Sequence, residues 1–292
     1  MRWNVQKRVL PRNSGFDSAL KVMMTRILSD LHFGHRGSRV RELGQLAPLL
    51  EGAERIVFNG DSVEMRFMEE REQALADADA LRQLCVASGA NPIFLTGNHD
   101  PALTDLHHLE LADGAVFVTH GDILFQGISP WSIEAAALRE AHRQATETLA
   151  PSADLHRQLV AIRRAALALE QMGGKFLTLQ KPGVLNAITH HLWPPWRPWH
   201  ILMGWARMPF LANALAAAHA PQARFVIVGH THFSGVWRVG KRVVINTGGF
   251  VPLSSGLAVD LDDERLIVRK IAFENGQFRL ARKVASYVLD PA

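Results

Sequence analysis

The strongest constraint on the fold is a recurring pattern of short, almost wholly apolar runs that each end in a polar cluster. Residues 25–29, 55–59, 92–96 and 115–119 are such runs, and helical spacing fills 39–50 and 65–87 between them. A short continuous apolar run is what a strand buried on both faces requires. Alternation with helices then predicts a layered α/β fold, with chemistry at the carboxyl ends of the strands. Five clusters stand at such ends: Asp30-Leu31-His32, Gly60-Asp61, Gly97-Asn98-His99-Asp100, His120-Gly121-Asp122 and Gly229-His230-Thr231-His232.

The pattern changes at residue 131. Helical periodicity covers 132–149, 152–172 and 201–219, broken by Pro151, Gly173-Gly174 and a Trp/Pro-rich segment, so 131–220 reads as a helical cap inserted into a core of 23–130 and 221–292. Beyond the cap, 224–229, 235–239, 241–246, 256–260 and 265–271 read as a second sheet closing the chain, with hairpin turns at 239–241 and 262–264. Residues 1–22 lack the apolar stretch of a secretory signal and precede Met23-Met24, so they read as a leader outside the fold.

With Cys85 as its single cysteine, the chain forms neither an internal disulfide nor a thiolate metal cluster, which fits a reducing, cytoplasmic compartment. No apolar run is expected to reach the roughly 18 residues of a spanning helix. A formal net charge of +4 is small and unclustered for a nucleic-acid binder, so nucleic acid is not the favoured partner.

Taken singly, Asp-x-His and Gly-Asp are common turn chemistry, Gly-Asn-His-Asp is a common loop, and a lone histidine is usually a satisfied or exposed side chain. The ordered set of clusters, all behind apolar runs, points elsewhere. Side chains two apart on an extended segment share a face, so Asp30 with His32, and His230 with His232, are expected to converge. Carboxylate oxygens combined with imidazole nitrogens suit Mn, Fe or Zn better than the all-oxygen shells of Ca and Mg.

In order and spacing, the clusters resemble the D-x-H, G-D, G-N-H-[DE], H and G-H-x-H pattern of the calcineurin-like metallophosphoesterases, over nearly the whole chain outside leader and cap. The resemblance implies an α/β/β/α sandwich of two mixed sheets with a helical cap insertion. It also implies two divalent ions, Mn foremost, with Fe or Zn as alternatives. Asp30, His32, Asp61 and His232 would hold one ion, and Asp61, Asn98, His120 and His230 the other, with Asp61 bridging. The implied reaction is hydrolysis of a phosphate ester by a hydroxide shared between the ions. His99 would protonate the leaving oxygen or stabilise transition-state charge, and Asp100 would orient the His99 ring. His35 and Arg36 follow the first cluster closely enough to reach a substrate phosphate, alongside Asn98. Asp122 reads as a turn residue, and Gly248-Gly249 as support near the site.

The cap carries nine Lys or Arg against five Asp or Glu, and its 191–200 segment places Trp193, Trp196 and Trp199 beside Arg197. That composition suits a membrane interface or an acyl pocket. A Pro-stiffened connection whose tryptophans pack on the cap helices is the alternative. The expected substrate is a phosphorylated small molecule or a phospholipid-like one, with peripheral contact to the inner membrane through the cap. The UDP-2,3-diacylglucosamine pyrophosphohydrolases of the same superfamily carry a helical insertion at the equivalent place, although many have arginine where this chain has His99. A nuclease and a non-catalytic interaction module are the remaining alternatives.

Overall fold

The apolar runs become the central strands of two mixed sheets in the computed structural model, which describes residues 23–66, 71–132, 135–147, 149–150, 154–171 and 196–289. The first sheet holds, in spatial order, β11 (Gln277–Val288), β10 (Arg265–Glu274), β9 (Leu257–Leu261), β1 (Thr25–Leu28), β2 (Arg55–Asn59) and β3 (Asn91–Leu95). Within it β1, β2 and β3 run parallel, while β9, β10 and β11 extend the other edge in antiparallel pairs. In the second sheet the order is β4 (His108–Leu111), β5 (Val116–Thr119), β6 (Phe225–Val228), β8 (Arg242–Asn246) and β7 (Gly235–Val239). Its middle strands β5, β6 and β8 are parallel, and antiparallel strands close both edges.

Alternation along each strand divides the apolar runs between two cores. Ile27, Val57 and Leu95 of the first sheet face Val116, Val118, Phe225, Ile227, Val243 and Ile245 of the second. Their neighbours Leu28, Ile56 and Phe58 turn outward to Leu46, Leu49, Leu50, Leu81 and Cys85, on or beside the helices α1 (Ala47–Leu50) and α2 (Arg71–Ala87). On the far side, Phe117, Val226, Val228 and Val244 pack outward against a long helix, α5 (Arg197–His219), through Met208, Ala212 and Ala216. The layers are therefore helix, sheet, sheet, helix. Between β5 and α5, the helices α3 (Ala135–Thr146) and α4 (Leu155–Gln171) form a pair with its own small core of Ile128, Leu138, Ile162 and Ala165.

Several expectations are corrected. The strands near 256–260 and 265–271 join the first sheet, because β9 pairs antiparallel with β1 and its Asp260 accepts the buried Arg26 Nε–H at 2.6 Å. A single sheet closing the chain is thus replaced by strands shared between two sheets. Over 39–50 the helix shrinks to a 3-10 turn, Leu43–Leu46, and the single turn of α1. Neither β4 nor the twelve-residue β11 was expected. The hairpin turns after β7 and β9 do form, since both flanking pairs are antiparallel. By length and composition the 23-residue α5 is apolar enough to cross a membrane, with a mean hydropathy of 1.2 over its most apolar 18 residues. The leader 1–22, Gly173-Gly174 and Trp193 lie outside the described residues.

Candidate metal centre

Every parallel strand but one delivers a donor to a single cleft between the sheets. Asp30 follows β1, Asp61 follows β2, Asn98 follows β3, His120 follows β5, and His230 and His232 follow β6; β8 ends in Asn246, which secures the Gly229–Thr231 turn through its amide. The chain does not stay extended there. Asp30, His32, Asp61, His230 and His232 all have positive φ, between 47° and 67°. Aspartate and histidine tolerate this left-handed region better than most residues, and its cost is typical of functional sites. Convergence of residues two apart therefore comes from sharp turns off the strand ends rather than from extended geometry. Two glycines make the crossing possible. A Cβ on Gly97 would collide with Asp61, and one on Gly229 with Asp30, so each motif's glycine is the space another motif's carboxylate occupies.

Asp30, His32, Asp61 and His232 each point one donor atom to a common place, all within 4.8 Å of one another. His232 Nε2 is 3.0 Å from His32 Nε2 and 3.3 Å from Asp30 Oδ1. Asp61, His120 and His230 form a second set under the same limit. Asn98 joins it, with Oδ1 at 3.3 Å from His120 Nε2. Asp61 belongs to both sets: Oδ2 is 3.7 Å from His32 Nε2 and 3.3 Å from His120 Nε2. All seven metal ligands expected from the sequence are thus brought together around one carboxylate. Two mixed sheets with one cleft of converging donors agree with the sandwich architecture that the sequence motifs imply.

No family profile and no curated protein matches the chain. Solved structures with a distant likeness include a Streptococcus pneumoniae protein described as a predicted phosphoesterase, at 13% identity and a TM-score of 0.41, covering 93% of this chain and 100% of that one. A dimetal phosphatase from Danio rerio is similar at 12% identity and a TM-score of 0.42, over 85% of this chain and 96% of its own. The Entamoeba histolytica Vps29 complexed with zinc shares 15% identity at a TM-score of 0.38, over 90% and 98%. The donor set of this chain, not these likenesses, carries the function proposed for it.

Backbone carbonyls choose the ring nitrogens that the cleft receives. His120 donates Nδ1–H to the Asn59 carbonyl at 2.9 Å, which turns Nε2 inward. His230 donates Nε2–H to the Ile128 carbonyl at 3.0 Å and leaves Nδ1 as its free donor atom. Burial, then the neighbouring His99, holds His32 well below the ordinary imidazole range, and burial with His120 pushes His230 down to about 3. Burial would raise Asp61, but His120, His99 and His32 outweigh it and keep this carboxylate ionised. For His120 burial works downward, and contact with Asp61 prevails and raises it. Two neutral imidazoles beside an ionised carboxylate are the protonation states in which these groups ligate a cation. Mixed oxygen and nitrogen donors, buried and convergent, fit divalent transition metals.

The partner of His99 corrects the sequence reading. Its Nδ1 lies 2.9 Å from Glu64 Oε2, so the carboxylate against the ring is Glu64 and not Asp100. Asp100 instead accepts the backbone N–H groups of Asp61, Ser62 and Gly97 at 3.1, 2.7 and 2.8 Å, tying two motifs together; burial and then Asp61 push its carboxyl up to about 7. Glu64 is placed by the segment after Asp61, where Val63 bridges to Phe33 and Met65 N–H meets the His99 carbonyl. Burial would raise Glu64, but Arg66 at 2.8 Å and His99 hold it ionised. The other His99 nitrogen, Nε2, faces the cleft, 4.0 Å from Asp61 Oδ2. His35 is half-buried with its ring 6.2 Å from that of His32, whereas Arg36 is exposed and its carbonyl accepts from Arg41. Asp122 is buried and opens a 3-10 turn, accepting from Ile123, as the turn reading requires.

Proposed function

We propose that the chain is a dinuclear metal-dependent hydrolase of phosphate esters. One observation carries this reading: a single ionised carboxylate, Asp61, stands between two convergent donor sets. When bound, two divalent cations supply positive charge against a phosphoryl group and acidify the attacking water. Asp30, His32 and His232 with Asp61 would hold one cation, and Asn98, His120 and His230 with Asp61 the other. The remaining work belongs to His99. Glu64 fixes its ring through Nδ1, so that Nε2, protonated in the imidazolium that the carboxylate supports, would be the atom presented to a leaving oxygen or to developing charge. Asp100 keeps the Asp61 and Gly97 turns in register.

The test is hydrolysis of p-nitrophenyl phosphate and its bis ester by purified protein supplied in turn with Mn, Fe and Zn. Metal-stimulated turnover that Asp61→Asn reduces to background is expected. Absence of turnover with every metal, or unchanged turnover in the variant, overturns the reading. A second reading, cleavage of a lipid-linked pyrophosphate, is favoured by an apolar groove of about 350 Å³ lined by Trp205, Phe210, Phe233 and Trp237, since Phe233 directly follows the ligand His232. A substrate screen of sugar nucleotides and lipid pyrophosphates separates the two.

A further inference from the structure

The two faces of α5 differ in character. Gly204, Met208, Ala212 and Ala216 are buried on the side that covers the second sheet. On the opposite side, spaced three and four apart, Trp199, Leu202, Met203, Ala206 and Phe210 face outward. Trp199 and Phe210 are each 64% exposed and Leu202 is 54% exposed. Single exposed apolar residues are ordinary, but a contiguous helical stripe of them marks an interaction surface.

The composition of α5 would let it span a bilayer, yet its packing excludes that. Met208, Ala212 and Ala216 are fully buried parts of the core over β5, β6 and β8, and a spanning helix would have to leave that core. A helix with one face fixed in protein and an apolar opposite face meets a bilayer by lying on its surface rather than by crossing it. Charge selects the kind of surface. No Asp or Glu occurs in α5, exposed Arg207 edges the stripe, and exposed Arg238 lines the same groove as Phe210. The rim next to the metal centre continues the pattern. Phe233 is 40% exposed and stacks on Trp205, and Leu253 is 91% exposed at a φ of 65°. The Leu253 loop is tied to this rim by the Ser254 hydroxyl on the His232 carbonyl and by the Ser234 and Ser255 hydroxyls at 2.8 Å.

We propose that the outward face of α5, with Phe233 and Leu253 beside it, docks on an anionic lipid bilayer, its apolar stripe in the interface and Arg207 and Arg238 against the headgroups. This places the mouth of the metal centre at the membrane, and it stands whether or not the centre is catalytic. The experiment is flotation of the full chain with vesicles of phosphatidylcholine alone and of equal parts phosphatidylcholine and phosphatidylglycerol. Binding to the anionic vesicles is expected, weakened about tenfold or more both in Leu202→Ser/Phe210→Ser and in Arg207→Glu/Arg238→Glu, and reduced by salt. The charge-reversed pair lies wholly on the surface, so it keeps the test decisive if the serine pair folds poorly. No flotation of the wild-type chain, or equal flotation of wild type and the charge-reversed pair, overturns the proposal. So does a wild-type dimer in sedimentation velocity that Leu202→Ser/Phe210→Ser dissociates, which would assign the face to a second copy of the chain. Flotation that appears only after deletion of residues 172–195 likewise overturns it and assigns the face to that segment.

Discussion

His99 offers Nε2 to the cleft and Nδ1 to Glu64, so the direction of its reactive nitrogen depends on a buried carboxylate that also lies within 4.8 Å of a His32 ring nitrogen. Glu64→Gln keeps the volume and removes the charge. It is expected to lower kcat about 10- to 100-fold with little change in KM, the usual range for a partner behind a functional histidine. Asp100→Asn should instead lower metal retention and thermal stability together, because the carboxylate of Asp100 joins three backbone N–H groups across two motifs. Equilibrium dialysis and thermal melts of the two variants separate these roles. The convergence of the seven donors was legible in the sequence because each follows an apolar run. Glu64 was not, since it stands three residues beyond Asp61, off any strand end, and long-range contacts of its backbone, the Phe33–Val63 bridge and the Met65 N–H to the His99 carbonyl, bring it under His99. The carbonyls of Asn59 and Ile128, which set two tautomers, carry no side-chain signal at all.

At the scale of elements, three of the four runs that read as doubly buried strands are buried along nearly all their length, while β3, at a sheet edge, leaves Pro92 and Ile93 half-buried, and this sets the cost of truncating them. Phe58 is wholly buried in the layer between the first sheet and its helices, stacked on Phe94 at 4.9 Å. Phe58→Ala is expected to destabilise the fold by about 3–5 kcal/mol, measured by denaturant melts of the metal-loaded protein. What the sequence obscured has physical causes. β4 and β11 are edge strands, so they alternate apolar with polar residues and lack the continuous runs that identify their neighbours. The turn between β10 and β11, Asn275-Gly276 with φ of 50° and 77°, was the available hairpin signal. Strand identity was readable while sheet membership was not, because the pairing of β9 with β1 is set by contacts such as Arg26 with Asp260, 234 positions apart.

For the molecule as a whole, the attachment of α4 to the core should be sensitive to acid. Arg163 of α4 donates to the Pro101 carbonyl and pairs with Asp105, and His156 of α4 faces His107 at 6.0 Å between ring centres. Burial, then Arg163 and His156, push His107 down to about 4. Between that value and the ordinary imidazole value near 6.5, the unfolded chain binds the proton that the folded one refuses. Stability from this group is therefore present above about pH 6.5 and is lost as the pH falls toward 4, by an amount on the order of 1–3 kcal/mol. His107→Gln should flatten the melting temperature over that window, and an unchanged slope would contradict the assignment.

Both the fold and the chemistry converge on Asp61, the one donor shared by two sets that each draw on both sheets. The most direct measurement is metal content after dialysis against Mn, read by elemental analysis for the wild-type chain and for Asp61→Asn. Two ions per wild-type chain, with loss of both or of their pairing in the variant, is the predicted result. A wild-type chain that retains at most one ion, or a variant that still holds two, would contradict a dinuclear centre built on this carboxylate.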